Sequence, residues 1–144
     1  MKYCFLLITF IFLSCKKEVV PVEKKCTSNP KKLEMYQMSE MANLMEQMYA
    51  YNSQLKQHIV KGDTIGKFQD FFLKINSATM TDASDNDIFF KTNAKLFIEK
   101  QKKIYIDSEN LKHNFNEVVD MCLKCHEQKC GGPIPRIKKL YIKE

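Results

Sequence analysis

The stretch Cys122-Leu123-Lys124-Cys125-His126 decides how this chain is read. It spells C-x-x-C-H, the pattern of covalent c-type haem attachment. Two thiols three residues apart on a helix share a face, and each can add across one haem vinyl group. His126 lies four residues after Cys122, so its imidazole leaves the same face and can ligate iron as the proximal base. Other readings of these residues exist. The match can arise by chance, or Cys130 can complete C-x-x-C-H-x-x-x-C as the fourth ligand of a zinc site. A thioredoxin-like redox pair normally sits near a βαβ pattern, and none surrounds it.

Position adds a constraint. The 18 residues after His126 contain neither Met nor His. Any second axial ligand must therefore come from upstream, on a helix that folds back over the haem.

The other end of the chain indicates export. Lys2 is followed by an apolar run from Phe5 to Leu13 interrupted only by Thr9, too short to span a bilayer and typical of a secretory leader. It ends in Phe12-Leu13-Ser14-Cys15, which resembles a bacterial lipobox except that Phe12 stands where Leu is usual. Residues 1–14 are thus expected to leave as a signal peptide, and Cys15 to carry lipid on the periplasmic or cell-surface side of a bacterial membrane. Residues 15–29, with Lys16, Lys17, Glu18, Pro21, Lys24 and Lys25, have the composition of a flexible tether. Loss of Lys2 with the leader lowers the formal charge from +6 by one. So modest an excess implies no nucleic acid, and is compatible with an acidic redox partner.

Residues 30–144 read as one helical domain. Asn29-Pro30 has the form of an N-cap followed by a first-turn proline. Met38, Met41, Met45, Met48, Asn52, Leu55 and Ile59 follow in alternating steps of three and four, a heptad stripe with one polar member. Gly62 ends the segment. A helix over Pro30 to Lys61 would run about 48 Å. Thr64 can cap a shorter second helix bearing Phe68, Phe71, Phe72 and Ile75. Asn76 to Asp87 has loop composition. A third helix begins near Asp87 with Phe90, Ala94, Phe97, Gln101 and Ile104. A break falls at Asp107-Ser108-Glu109-Asn110. The fourth carries Leu111, Phe115, Val118 and Cys122, then Cys125 and His126, and stops at Gly131-Gly132-Pro133. The pattern predicts an all-α, up-down-up-down four-helix bundle with the haem on the C-terminal helix and a tail packed through Ile137, Leu140 and Ile142.

Cys122, Cys125 and His126 on the last of four helices resemble the cytochrome c′ group of class II c-type cytochromes. The Met-rich first helix ending at Gly62 adds looser support, and the likeness covers roughly residues 30–130. It implies haem c as cofactor, with its iron held by His126. In that group a first-helix residue covers the distal haem face, and helix phase matches Met45 to it, with Met41 and Met48 as neighbours. Most of these methionines are expected to be packing. The group commonly places Arg or Lys four residues after the proximal His. Here Cys130 stands there, after Lys129. The longer tail brings Arg136, a candidate partner for a haem propionate. His58 and His113 read as surface residues.

The remaining cysteines follow by accounting. Cys4 leaves with the leader, Cys15 takes lipid, and Cys122 with Cys125 takes haem. Cys26 and Cys130 remain, and an up-down-up-down topology brings the start of the first helix and the end of the fourth to one end, where an oxidising compartment permits a disulfide. Two free thiols are the alternative.

Three functions are compatible with these residues. The first is a membrane-tethered monohaem electron carrier. The second is a five-coordinate haem protein for nitric oxide or carbon monoxide. The third is a lipid-anchored structural or metal-binding helical protein without haem. No nucleophile-base-acid set or phosphate loop is present, so no enzymatic activity is expected. A homodimer is compatible with all three.

Overall fold

The computed structural model describes residues 37–143. Among these the chain is all-α, with no strand. The long helices are α1 (Glu40–Lys61), α2 (Ile88–Lys103) and α3 (Leu111–Lys129), followed by a single turn, α4 (Ile134–Ile137). No described helix is long and apolar enough to cross a membrane.

Helix α1 starts later than the sequence suggests. Asn29 and Pro30 lie outside the described residues, but residues 37–39 are not helical, so no unbroken helix runs from Pro30 to Lys61. Ser39 is the N-cap, extended at φ −61° and ψ 162°, and its Oγ accepts from the Ala42 N–H at 3.1 Å. The reason for this start is tertiary. The Met41 N–H donates to the Thr79 carbonyl at 3.0 Å, and the Glu40 carboxylate accepts from the Thr79 N–H and hydroxyl. A loop forty residues away thus satisfies one donor that the first turn leaves free, the Met41 N–H, and gives its own donors to Glu40. The other end agrees with expectation. Gly62 adopts φ 75°, its N–H reaches the Ile59 carbonyl, and the Asp63 N–H reaches that of His58, a Schellman ending.

The buried stripe of α1 is Met41, Leu44, Met48, Asn52, Leu55 and Ile59. Met38, expected in that stripe, precedes the helix and is 49% exposed. Leu44 takes the inward position, and Met45 lies half-buried at the flank. A period of 3.6 rather than 3.5 accounts for that rotation.

The expected second α-helix is also corrected. Thr64 caps nothing. Residues 63–69 are irregular, and Asp70–Asn76 forms a 3-10 segment entered from Gln69. Gly66 at φ 73° breaks any helix begun at Thr64. The 3-10 period of three then puts Phe72 and Ile75 on one side, where both are buried. Phe72 is the hub of an aromatic cluster, stacked on Phe71 at 4.4 Å and packed near Phe97 and Tyr51.

The second half follows the sequence closely. Asp87 caps α2, its Oδ1 accepting from the Phe90 N–H at 2.8 Å. Residues 104–110 separate α2 from α3, held by Asp107, which accepts from Asn110 and Asn114. The two helices pack on each other, and Lys100 joins Glu117 at 2.6 Å between them. The core comprises Phe90, Ala94, Phe97 and Ile98 of α2, Phe115, Val118, Val119 and Leu123 of α3, and the α1 stripe. Between α1 and α2 the buried Gln101 donates to Asn52 at 3.1 Å.

The tail folds back as expected, burying Ile137, Leu140 and Ile142. Polar clasps fasten it. The Asn116 side chain meets both backbone groups of Ile142, accepting from its N–H at 2.9 Å and donating to its carbonyl at 3.0 Å. Lys56 donates to the carbonyls of Lys139 and Tyr141, and the Tyr141 hydroxyl donates to Asp120.

Candidate functional site

Cys122, Cys125 and His126 occupy the last two turns of α3, a helix that survives to Lys129 because nothing in Leu123-Lys124 opposes it. Lys129 anchors this end. Its ammonium meets Asp87 at 2.6 Å and Asp85 at 3.5 Å, so the residue that caps α2 also holds the end of α3. Asp87 bonded to Lys129 has its carboxyl held below the ordinary range, and the Lys129 ammonium is correspondingly raised.

Both cysteines and the histidine line one cavity enclosed by α1, α2, α3 and the tail. Met45, Met48, Tyr49 and Asn52 face it from α1, Phe90, Asn93, Ala94 and Phe97 from α2, and Pro133, Arg136, Ile137 and Leu140 from the tail. The cavity has a volume of about 90 Å³ and opens to solvent. That is below the roughly 300–1,000 Å³ usual for cofactor pockets, so a cofactor of haem size would have to part these walls.

The imidazole is oriented. His126 Nδ1 lies 2.9 Å from the Cys130 carbonyl oxygen. A carbonyl only accepts, so Nδ1 carries a proton, and in the neutral imidazole the lone pair is then on Nε2. A neutral imidazole fixed in one tautomer by a backbone carbonyl is the form that binds metal. Cys130 thus acts through its main chain.

The thiols are not activated. Burial pushes the Cys122 thiol up to about 12, and burial also raises Cys125. Reactive dithiols show the opposite shift. Among the described residues no three His, Cys, Asp or Glu side chains converge as ligands of one ion. Cys122, Cys125 and Cys130 pair with no described cysteine. Cys26 and Cys15 lie outside the described residues.

The upstream candidates separate. Met45 lines the cavity with His126, and so does Met48, whereas Met41 is buried in the core. His58 is exposed beside Asp63, and His113 is exposed on α3. Arg136 does reach the cavity, but both of its terminal nitrogens bond Glu46, at 2.8 and 3.0 Å, and its guanidinium lies 4.2 Å from the Tyr49 ring centre. The hydrogen bonds from Arg136 hold the Glu46 carboxyl below its ordinary range.

No family model, curated protein or solved structure matches this chain.

Among the cavity-lining residues that escaped the sequence is Asn93, which is 5% exposed. Its signal was spacing, three residues after Phe90 and four before Phe97, but an Asn on a helix reads as surface.

Proposed function

We propose that this chain is a c-type monohaem cytochrome, a lipid-tethered electron carrier built on a variant of the four-helix bundle in which a 3-10 segment replaces the second helix. The observation that carries the reading is the common cavity of Cys122, Cys125 and His126, with the His126 Nε2 lone pair left free. The donor set fits a haem. The two thiols are unpaired and available for thioether bonds to the two vinyl groups, the largely apolar walls suit the macrocycle, and Met45 lines the cavity from α1. When bound, haem c supplies one-electron chemistry at its iron. The chain's own residues orient the proximal imidazole through the Cys130 carbonyl, exclude water with Phe90, Phe97 and Leu140, and place one cation, Arg136, at the wall. Redox proteins are the proposed partners, and the lipid on Cys15 the proposed attachment to a bacterial membrane.

Protein made with haem-maturation machinery is expected to keep one haem through denaturation and acid-acetone extraction, and Cys122→Ala with Cys125→Ala to lose it. Haem that extracts freely from the wild type would refute the covalent reading. Cys15→Ala is expected to release the protein from membranes, since stable anchoring takes two or more acyl chains. A wild-type N-terminus found without lipid would remove the anchor.

A further inference from the structure

The cavity lined by Cys122, Cys125 and His126 is about 90 Å³, too small for the cofactor proposed for it, so one of its walls has to move. Three walls are tied to one another. The buried Gln101–Asn52 hydrogen bond joins α2 to α1, and Lys100 joins α2 to α3 through Glu117. Lys129 joins the end of α3 to Asp85 and Asp87 beside the start of α2. The fourth wall is the tail, which contributes Pro133, Arg136, Ile137 and Leu140. Its polar ties lie near the surface. The side chains of Arg136 and Glu46 are each 49% exposed, and Lys56 grips only the main-chain carbonyls of Lys139 and Tyr141. Groups so placed exchange one another for water at little cost.

The link between α3 and the tail is Gly131-Gly132. The closed tail has no need of glycine there. Neither residue adopts a positive φ. A Cβ on Gly132 would meet nothing within 4 Å, and one on Gly131 would meet only Ile134 Cδ1 at 3.9 Å, an ordinary contact. The freedom of two successive glycines is thus available to a second arrangement of the backbone, in which the tail stands away from α1 and α3.

Resting on the haem reading, we infer that Gly131-Gly132 is a hinge and that the tail from Pro133 to Ile142 is a strap: closed, it fills part of the haem site, and the loaded protein holds it open. Closing of the strap and occupation by haem exclude one another. The apparent affinity for haem is therefore scaled down by the fraction of molecules that are open, and loosening the clasps should tighten binding.

The test uses the full chain carrying Cys122→Ala and Cys125→Ala, so that haem binds reversibly, and titrates it with haemin followed by the optical spectrum. Lys56→Met keeps the apolar stem but releases both carbonyls, and Asn116→Ala frees Ile142. Each is expected to tighten haemin binding about tenfold while lowering the melting temperature of the haem-free chain. Gly131→Ala is expected to weaken binding about two- to fivefold, since a stiffer link disfavours the open arrangements. Ser39→Ala removes the cap of α1, away from the strap, and is expected to lower stability without tightening haemin. In wild type loaded covalently, the Ile137 and Ile142 amides are expected to exchange faster than in the haem-free chain, with Phe97 no faster. Clasp variants that bind haemin no tighter than the parent overturn the inference, because another wall then yields. Equal tightening by Ser39→Ala overturns it as well, because general loosening then admits haem. So does an Ile142 amide that exchanges no faster in the loaded wild type, or a haem-free chain without helical circular dichroism, which has no closed strap. Failure of the haem reading is recognised separately, as wild type that carries no covalent haem after production with the maturation machinery.

Discussion

Removing the Asn116 clasp should loosen the tail and with it one wall of the candidate site. The Asn116→Ala change deletes two hydrogen bonds to the backbone of Ile142, at 2.9 and 3.0 Å. Each neutral bond contributes about 1 kcal/mol net, so the pair contributes about 2 kcal/mol. Ile142 is only 5% exposed, so its N–H and carbonyl are not freely rehydrated while the tail stays docked. That raises the cost toward about 3 kcal/mol, whereas fraying of the last residues into water lowers it toward about 1. For a domain of about 100 residues, 2 kcal/mol lowers the melting temperature by roughly 8–16 °C. Urea unfolding followed by helical circular dichroism measures the change, with the midpoint falling and the slope preserved. Hydrogen exchange at the Ile142 amide supplies the local reading, and its protection should collapse to that of an open terminus. Asn116→Asp keeps the acceptor for the N–H but sets a carboxylate against the carbonyl, so it should rescue little. A loss below about 0.5 kcal/mol with the Ile142 amide still protected would show that apolar burial of Ile137 and Leu140 holds the tail alone, and would refute the reasoning.

If Met45 ligates iron in the haem-loaded protein, Met45→Ala should convert low-spin to high-spin haem and open it to carbon monoxide; a wild type already high-spin would favour the ligand-binding reading instead. Asp87→Asn should melt at lower temperature than wild type, because the Lys129 partner at 2.6 Å loses its charge complement. The hydrogen bond from Lys129 depresses the folded pKa of Asp87. Its stabilisation is therefore complete above the unfolded Asp range and disappears as pH falls through the lower folded value. The melting temperatures of wild type and Asp87→Asn should accordingly converge in acid, and a gap that stays constant to low pH would contradict the assignment.

Local signals were legible where local chemistry decides the outcome. The start of α2 at Asp87, the Gly62 ending and the break at Asp107–Asn110 all follow from neighbours within a few residues. Motif spacing singles out Cys122, Cys125 and His126, helix phase with the resemblance singles out Met45, and all four line one cavity. What failed was set by distant partners. Ser39 starts α1 because Thr79 and Thr81 meet that end across the fold. The aromatic segment after Thr64 looked helical, yet Gly66 and the burial of Phe72 with Ile75 select a period of three. The Cys130 carbonyl was invisible as an acceptor, since a main-chain group carries no residue signature.

The buried pair of Gln101 and Asn52 has a consequence for how α2 seats on α1. Apolar side chains tolerate sliding, because one greasy neighbour replaces another at little cost. Two amides do not. A slip of one helical turn, about 5.4 Å, would part them inside the core and leave both without a partner. The pair therefore works as a detent that fixes the axial register of the two helices. Register in turn decides which residues of α1 stand opposite α3, and so whether Met45 or a residue one turn away meets the cavity that His126 faces.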